Sequence, residues 1–345
     1  MLLKKIVIIL ALSIFFIMSV SIIIGGINIG DISTKPTKDV AGQDINSKDQ
    51  ADYNDSNAGE GKIRVYITDK KKIQSIDFEE YVMGVVCAEM PAEFNIEALK
   101  AQAVAARTFA AAHMEQYGGK RYKDARGADV CDTVQCQVYM SKEDRLKTWP
   151  KKNAEELLDK VTKAVEGTKG EVIYYNGKII SEPYYFAVSA GKTENSIDIT
   201  GENEPYLKSV SSPGEEIAPK YKSEVKISYL QLSSKINKKY PKANVSVFNL
   251  NNKIQIIKRT EGGSVKEIKI GDITITGGDF RSLVGLNSSN FDISFHLTGI
   301  QINCKGYGHG LGMSQWGAKV MAEQGKNYKE IITHYYNGVK IQKLK

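Results

Sequence analysis

The chain has 345 residues, enough for a sizeable hydrophobic core, and a formal net charge of +7. Without Lys4 and Lys5, its 47 lysines and arginines fall to 45, against 40 acidic residues, and the longest basic block is the three residues 70–72. Because this surplus of positive charge is small and evenly spread, it argues against nucleic acid as a partner. Four cysteines are too few for a disulfide framework in a chain of this size.

The N-terminus predicts a single-pass membrane anchor. Residues 6–24 carry no charge and are long enough to cross a bilayer as one helix. Lys4 and Lys5 precede them, so the positive-inside rule places residues 1–5 in the cytoplasm and the remainder outside. A cleaved signal peptide is the alternative, although no small-residue cleavage site follows directly. Residues 25–61, rich in small and polar residues, predict a flexible extracytoplasmic linker.

Residues 62–345 predict an α+β domain with a mixed sheet core, because strand and helix patterns do not alternate regularly. The clearest hairpin covers 171–180, with Asn176-Gly177 as its turn, and a second is expected over 254–270. Residues 211–290 differ in composition, being mostly Lys, Ser, Asn and Ile. They form either a second lobe that walls a groove or a continuation of the first sheet.

Glu89 is a candidate acid–base residue. It stands in the run CAEMPAEF among apolar neighbours, just before Pro91 ends the helix. Partial burial there would disfavour the carboxylate and raise its pKa, so that one Glu could first donate a proton and later accept one. The alternative is a partly exposed Glu in a last helical turn, since the surface is the commonest environment of this residue.

An alanine-rich helix follows, capped by Asn95. Lys100 and Arg107 interrupt its apolar stripe. Seven residues apart, they return to nearly the same angle on the helix, so both side chains could lean toward whatever Glu89 faces. Alternatively, both are solvated and cover alanines with their aliphatic stems.

Cys131 and Cys136 form a Cys-x4-Cys pair for which three states are open: a structural zinc site, a disulfide or two free thiols. Zinc needs four ligands, and Gln135 stands beside the second Cys where a His would help. His113, another distant residue or water would have to complete the set. The zinc is therefore a weak prediction, and no cofactor is required for the function considered below.

Two further segments offer polar groups for a groove. The run GYGHGLGMSQWGA holds His309, whose flanking glycines permit close backbone approach, and Gln315, whose amide could bond hydroxyl groups of a ligand. A structural His that bonds a backbone carbonyl is the alternative for the first. The run SAGKTENS offers Ser189, Thr193 and Glu194 at the end of a strand, although on composition alone it is a polar loop.

These motifs occur together in a known family. AEMPAEF with EALKAQAVAARTFA, CDTVQCQVY, SAGKTENS with PYLKSV, and GYGHGLGMSQWGA with HYYNG follow one another between about residues 63 and 341. In this order they resemble the stage II sporulation protein D family, also called the amidase-enhancer family. Some members carry a metal at the Cys-x4-Cys motif.

The resemblance implies a lytic transglycosylase that cuts peptidoglycan glycan strands during engulfment of the forespore, from the mother-cell side of the septum. It places Glu89 at the catalytic acid–base position and Lys100 and Arg107 in or near the active site. It also places the SAGKTENS stretch and Tyr206 at the border of the groove. The expected partners are the glycan strand and the stage II sporulation proteins P and M.

Such an enzyme needs only one carboxylate. Ordinary glycosidases use two, whereas here the 6-hydroxyl of muramic acid attacks its own anomeric carbon and leaves a 1,6-anhydro end. Two rival functions are a non-catalytic glycan-binding module that enhances a cell-wall amidase and a zinc-dependent hydrolase. The weak set of zinc ligands argues against the hydrolase.

Overall fold

The computed structural model describes residues 61–345. Its α-helices run over Phe78–Glu89 (α1), Ile96–Ala112 (α2), Lys142–Thr148 (α3), Ala154–Glu166 (α4), Ser196–Ile199 (α5), Tyr229–Lys239 (α6), Leu250–Lys253 (α7), Gly277–Val284 (α8), Gln315–Glu323 (α9) and Tyr328–Tyr335 (α10). Its strands run over Lys62–Ile67 (β1), Lys72–Asp77 (β2), Val130–Cys131 (β3), Glu171–Tyr175 (β4), Lys178–Ile179 (β5), Tyr185–Phe186 (β6), Lys222–Ser228 (β7), Ile254–Arg259 (β8), Val265–Ile270 (β9), Ile273–Thr276 (β10), Phe291–Phe295 (β11), Gly299–Lys305 (β12), Met313–Ser314 (β13) and Lys340–Lys343 (β14). The predicted α+β class is confirmed, with both parallel and antiparallel strand pairs.

The alanine-rich helix α2 lies at the centre of the first hydrophobic core. The Asn95 side chain caps it by accepting a hydrogen bond from the Glu97 N–H at 2.9 Å. Helices α1, α4, α9 and α10 and strand β4 all pack against α2. Such crowding requires small side chains, and the alanines from Ala98 to Ala111 are buried. The apolar stripe is therefore only part of a helix that is buried nearly all round.

Helix α1 determines where Glu89 lies. It begins after Asp77, whose carboxylate accepts hydrogen bonds from the next helical N–H groups at 3.0 Å. It ends where Met90 adopts extended backbone before Pro91. The helix packs on the sheet with strand order β2-β1-β3. Glu89 is its last residue and is half-buried, at the edge of the first core.

The hairpin predicted over 171–180 is confirmed. Strands β4 and β5 pair antiparallel, and the turn places Asn176 at φ 49° and Gly177 at φ 78°. These left-handed values are what a two-residue hairpin turn requires. Strand β14 pairs with the other edge of β4, which returns the C-terminal residues to the first core.

A second hydrophobic core draws on residues from Ile227 to Cys304. Its two three-stranded sheets have the orders β11-β12-β7 and β10-β9-β8, and helices α6 and α8 pack on them. The hairpin predicted over 254–270 is present as β8 and β9. This core extends past residue 290, the end of the segment that composition marks, because β12 pairs along its whole length with β7.

The predicted cytoplasmic residues 1–5, the anchor over 6–24 and all but the last residue of the linker over 25–61 lie outside the described residues. They stay predictions. Between residues 61 and 345, no helix is both long and apolar enough to span a membrane.

Candidate active site

Glu89 is the last residue of α1, and its carboxyl contacts the segment that follows Cys136. Glu89 Oε1 accepts a hydrogen bond from the Val138 backbone N–H at 2.8 Å. Burial raises the pKa of the Glu89 carboxyl, while the hydrogen bond from the Val138 N–H and the nearby Tyr185 hydroxyl offset part of the rise. A half-buried carboxyl with a raised pKa is suited to donate a proton at moderate pH.

A hydrogen-bond network fixes the groups beside Glu89. The Tyr185 hydroxyl donates to Gln137 Oε1 at 3.1 Å. The buried Gln137 amide in turn donates to the Tyr81 hydroxyl and to the Ala106 carbonyl of α2, both at 3.1 Å. Sequence reasoning gives no role to Tyr185 or Tyr81, and the only signal for Gln137 is its place in the CDTVQCQVY motif.

The His309 ring contacts the backbone of Tyr185. Its Nδ1 accepts a hydrogen bond from the Leu311 N–H at 3.1 Å, and its Nε2 lies 3.1 Å from the Tyr185 carbonyl oxygen. Burial lowers the pKa of His309 to about 4, so the ring is neutral. Because Nδ1 accepts, the proton is on Nε2, which donates to Tyr185. Both ring nitrogens are therefore engaged with backbone.

Gln315 is buried as well. Its amide donates to Gln102 Oε1 on α2 at 3.3 Å. The amide nitrogen of Gln102 is buried and has no hydrogen-bond partner among the described residues. The structure thus joins Gln315 to α2 through Gln102.

Lys100 and Arg107 share one face of α2, as predicted, but this face packs away from Glu89. Arg107 is 0% exposed, and its guanidinium pairs with Glu79 at 2.6 Å and donates to backbone carbonyls in the last turn of α4 and at the start of β4. Lys100 pairs with Glu97 at 2.7 Å. Glu79 lies ten residues before Glu89, about 15 Å along α1. The expectation that both side chains lean toward Glu89 is corrected, because protein carboxylates hold them elsewhere.

The SAGKTENS stretch is buried between the two cores. Ser189, Thr193 and Glu194 are 1%, 0% and 2% exposed, and Tyr206 is 4% exposed. Glu194 accepts a hydrogen bond from the Ser264 N–H of the β8–β9 hairpin at 3.3 Å. The geometry therefore gives this stretch a structural contact with the second core, and the structure does not bring it to the Glu89 carboxyl.

Cys131 and Cys136 are unbridged thiols with sulfurs 2.9 Å apart. The hydrogen bond between them lowers the pKa of Cys131 to about 6 and raises the pKa of Cys136. Within residues 61–345, no group of three or more Cys, His, Asp or Glu side chains could hold a metal. His113 bonds the Phe109 carbonyl at 2.8 Å, and Gln135 is exposed. These donors do not fit the four-ligand zinc site, and no step below passes through a metal.

Comparison with known proteins gives consistent matches. Residues 66–175 match the family model described as Stage II sporulation protein. The chain is 41% identical over 279 residues to stage II sporulation protein D of Bacillus amyloliquefaciens, which covers 81% of this chain and 78% of the relative. Its identity to the protein of the same name from Bacillus subtilis (strain 168) is 38%, with the same coverage. It is 28% identical over 305 residues to the amidase enhancer of B. subtilis, covering 74% of this chain and 39% of that relative.

The fold, the order of the motifs and these similarities define a sporulation protein. The chain belongs to the stage II sporulation protein D family. The amidase enhancer is a more distant relative.

Proposed function

We propose that this protein is a peptidoglycan lytic transglycosylase that cuts glycan strands during forespore engulfment, with Glu89 as its acid and base. The observation that carries the proposal is the environment of the Glu89 carboxyl. Burial raises its pKa, and the Val138 N–H fixes the orientation of the carboxyl by donating to one of its oxygens. A carboxyl of this kind supplies the proton that cleavage of a glycosidic bond requires.

The contact with Val138 assigns the two carboxyl oxygens. A backbone N–H only donates, so Glu89 Oε1 accepts and the proton of the neutral acid resides on Oε2. Glu89 donates this proton to the glycosidic oxygen as the bond to C1 breaks. The resulting carboxylate accepts the proton of the muramic acid 6-hydroxyl while that oxygen bonds to C1. A 1,6-anhydro ring forms, no water is consumed, and Glu89 regains its acid form.

The surroundings of Glu89 favour one carboxylate over two. Glu93 is exposed beyond Pro91. Glu97 is engaged by Lys100 and accepts a hydrogen bond from the α10 backbone at 2.9 Å. Among residues 61–345, no carboxylate is one of the groups that shift the pKa of Glu89. A hydrolytic glycosidase would need a second carboxylate facing the same sugar.

A second candidate function is a non-catalytic enhancer of a cell-wall amidase. The observation that favours it is the 28% identity to the amidase enhancer of B. subtilis. In that case the groove would hold glycan without cutting it, and Glu89 would serve binding or folding alone.

Mass spectrometry of the products from purified full-length protein and peptide-free glycan strands separates these functions. The transglycosylase proposal predicts 1,6-anhydro ends. Intact strands, together with faster peptide release by an added amidase, would favour the enhancer. Ordinary reducing ends would show that water attacks C1 and would overturn the mechanism.

We also propose that residues 6–24 anchor the protein in the cell membrane, with the described domain on the mother-cell side of the septum. The charge-free run and the preceding lysines support this topology. The stage II sporulation proteins P and M are the proposed partners, by family resemblance. Fractionation of sporulating cells tests the anchor, because full-length protein should stay with the membrane and a shortened soluble form would contradict it.

A further inference from the structure

A cleft opens at the C-terminal end of α2, apart from the Glu89 carboxyl. Its volume is ≈ 620 Å³, within the range of small-ligand sites. The turn after α2 and the β4–β5 hairpin form most of its wall. Its aromatic and polar lining includes Gln116, Tyr117, Tyr174, Lys178 and Ser181, and Ile179 adds an aliphatic side chain.

Several side chains lie between this cleft and the candidate active site. Tyr81 lies within electrostatic range of both Glu89 and Cys136. Tyr122 lies within range of both Cys136 and Glu182. Glu182 directly follows the serine that lines the cleft. The described residues therefore place both sites around the first core, although Tyr81 itself is fully buried.

The two sites are also close along α2. The Ala106 carbonyl accepts the hydrogen bond that positions Gln137 beside Glu89, and Ala112 lines the cleft. Six residues of helix separate these positions, a rise of about 9 Å. One extended polymer could therefore occupy both sites at once.

We propose that this cleft is a distal subsite for the glycan strand, a proposal that rests on the function proposed for Glu89. Tyr117 and Tyr174 are half-buried, so each presents part of an aromatic face on which a sugar ring packs. Gln116 and the cleft serine supply hydrogen-bonding groups for hydroxyls. Exposed Lys178 adds a positive charge, so the sugar that fits best carries a carboxylate, as muramic acid does.

Binding of peptide-free glycan strands by the full-length Glu89→Gln protein tests the subsite without turnover. Long strands reach the cleft, and short strands bound at the Glu89 site do not. Tyr174→Ala should weaken binding of long strands about tenfold and leave binding of short strands unchanged. Tyr117→Ala, on a separate turn, should do the same, so a folding defect of one variant does not decide the result. Phe248→Ala removes a 94% exposed aromatic that does not line the cleft and should change neither affinity.

Lys178→Gln tests the chemical class of the sugar. It should abolish a preference for muramic acid strands over chitin oligosaccharides of equal length. Unchanged long-strand affinity in both tyrosine variants would overturn the subsite, and a parent protein without the muramic acid preference would overturn the carboxylate assignment. Should Glu89→Gln retain the parent cleavage rate, the proposed function fails, while the binding comparison still decides whether the cleft holds glycan.

Discussion

The Glu89 carboxyl accepts a hydrogen bond from the Val138 N–H at 2.8 Å across 49 residues of chain. This contact joins the end of α1 to the segment after the Cys-x4-Cys motif. The neighbouring Gln137 joins the same segment to the middle of α2. The candidate acid–base residue is therefore oriented only when three separate parts of the chain have packed together.

Gly84→Ala should disturb this packing. An added Cβ at Gly84 would lie 2.6 Å from the Met140 carbonyl oxygen and would overlap the Tyr139 ring. Alanine normally stabilises a helix interior by about 1 kcal/mol relative to glycine, but overpacking typically costs about 1–3 kcal/mol. We expect a net loss of unfolding free energy in urea, together with lower activity. Gly278→Ala in α8, where the added Cβ meets only Thr276 Oγ1 at 3.7 Å, is the matched control and should not lose stability. Greater stability of Gly84→Ala would contradict the close contact.

Arg107→Ala should destabilise the fold. Its guanidinium is buried and paired with Glu79, and removing one partner of such a pair costs about 3–5 kcal/mol, less here because Glu79 is partly exposed. Lys163→Ala, which breaks an exposed pair with Asp159, should leave the unfolding free energy nearly unchanged. Chemical denaturation of both variants provides the comparison. A stable Arg107→Ala protein with a raised KM for glycan would instead support a substrate role.

Glu215 should make stability depend on pH. Its buried carboxylate accepts hydrogen bonds from the Ser189 N–H at 2.7 Å and the Ser314 hydroxyl at 2.6 Å, yet burial raises its pKa from 4.5 to about 7. Because the folded-state pKa lies above the unfolded value, Glu215 stabilises the fold fully below about pH 4.5. This contribution, roughly 3 kcal/mol at most, is lost as the pH rises through 7. Glu215→Gln should remove this loss. Unfolding free energies of the parent and Glu215→Gln proteins at pH 4–8 measure this loss. A difference between the two proteins that does not change with pH would refute the prediction.

The Cys131 thiol should titrate near pH 6. Its contact with Cys136 lowers its pKa to about 6, so thiolate absorbance should rise around that pH and the step should vanish in Cys131→Ser. Cys87 is a control, since burial raises its pKa to about 11. Metal analysis of the same preparation should find no stoichiometric zinc. About one zinc per chain, released by thiol modification, would show that further ligands complete the site.

Local signals in the sequence predict much of the fold. The Asn95 cap defines the start of α2, and Asn176-Gly177 defines the β4–β5 turn, because each acts on its own few residues. The position of Glu89 before Pro91 likewise follows from local pattern. The partners of Glu89 do not, because Val138 and Tyr185 come from distant segments.

Helix periodicity misplaces Lys100 and Arg107 for a related reason. Spacing shows that they share a face but not which neighbour covers that face. Because α2 is buried nearly all round, the alanine pattern does not distinguish the side toward Glu89 from the side toward Glu79.

The rate of glycan cleavage by Glu89→Gln tests the central claim most directly. Gln keeps the size of the side chain and can still accept the Val138 hydrogen bond, but it cannot donate or accept the required proton. Release of anhydro-ended fragments from peptide-free strands should therefore fall by at least about 100-fold. Exposed Glu93→Gln, beyond Pro91, is the matched control and should stay near the parent rate. Release of anhydro ends by Glu89→Gln at the parent rate would contradict the account.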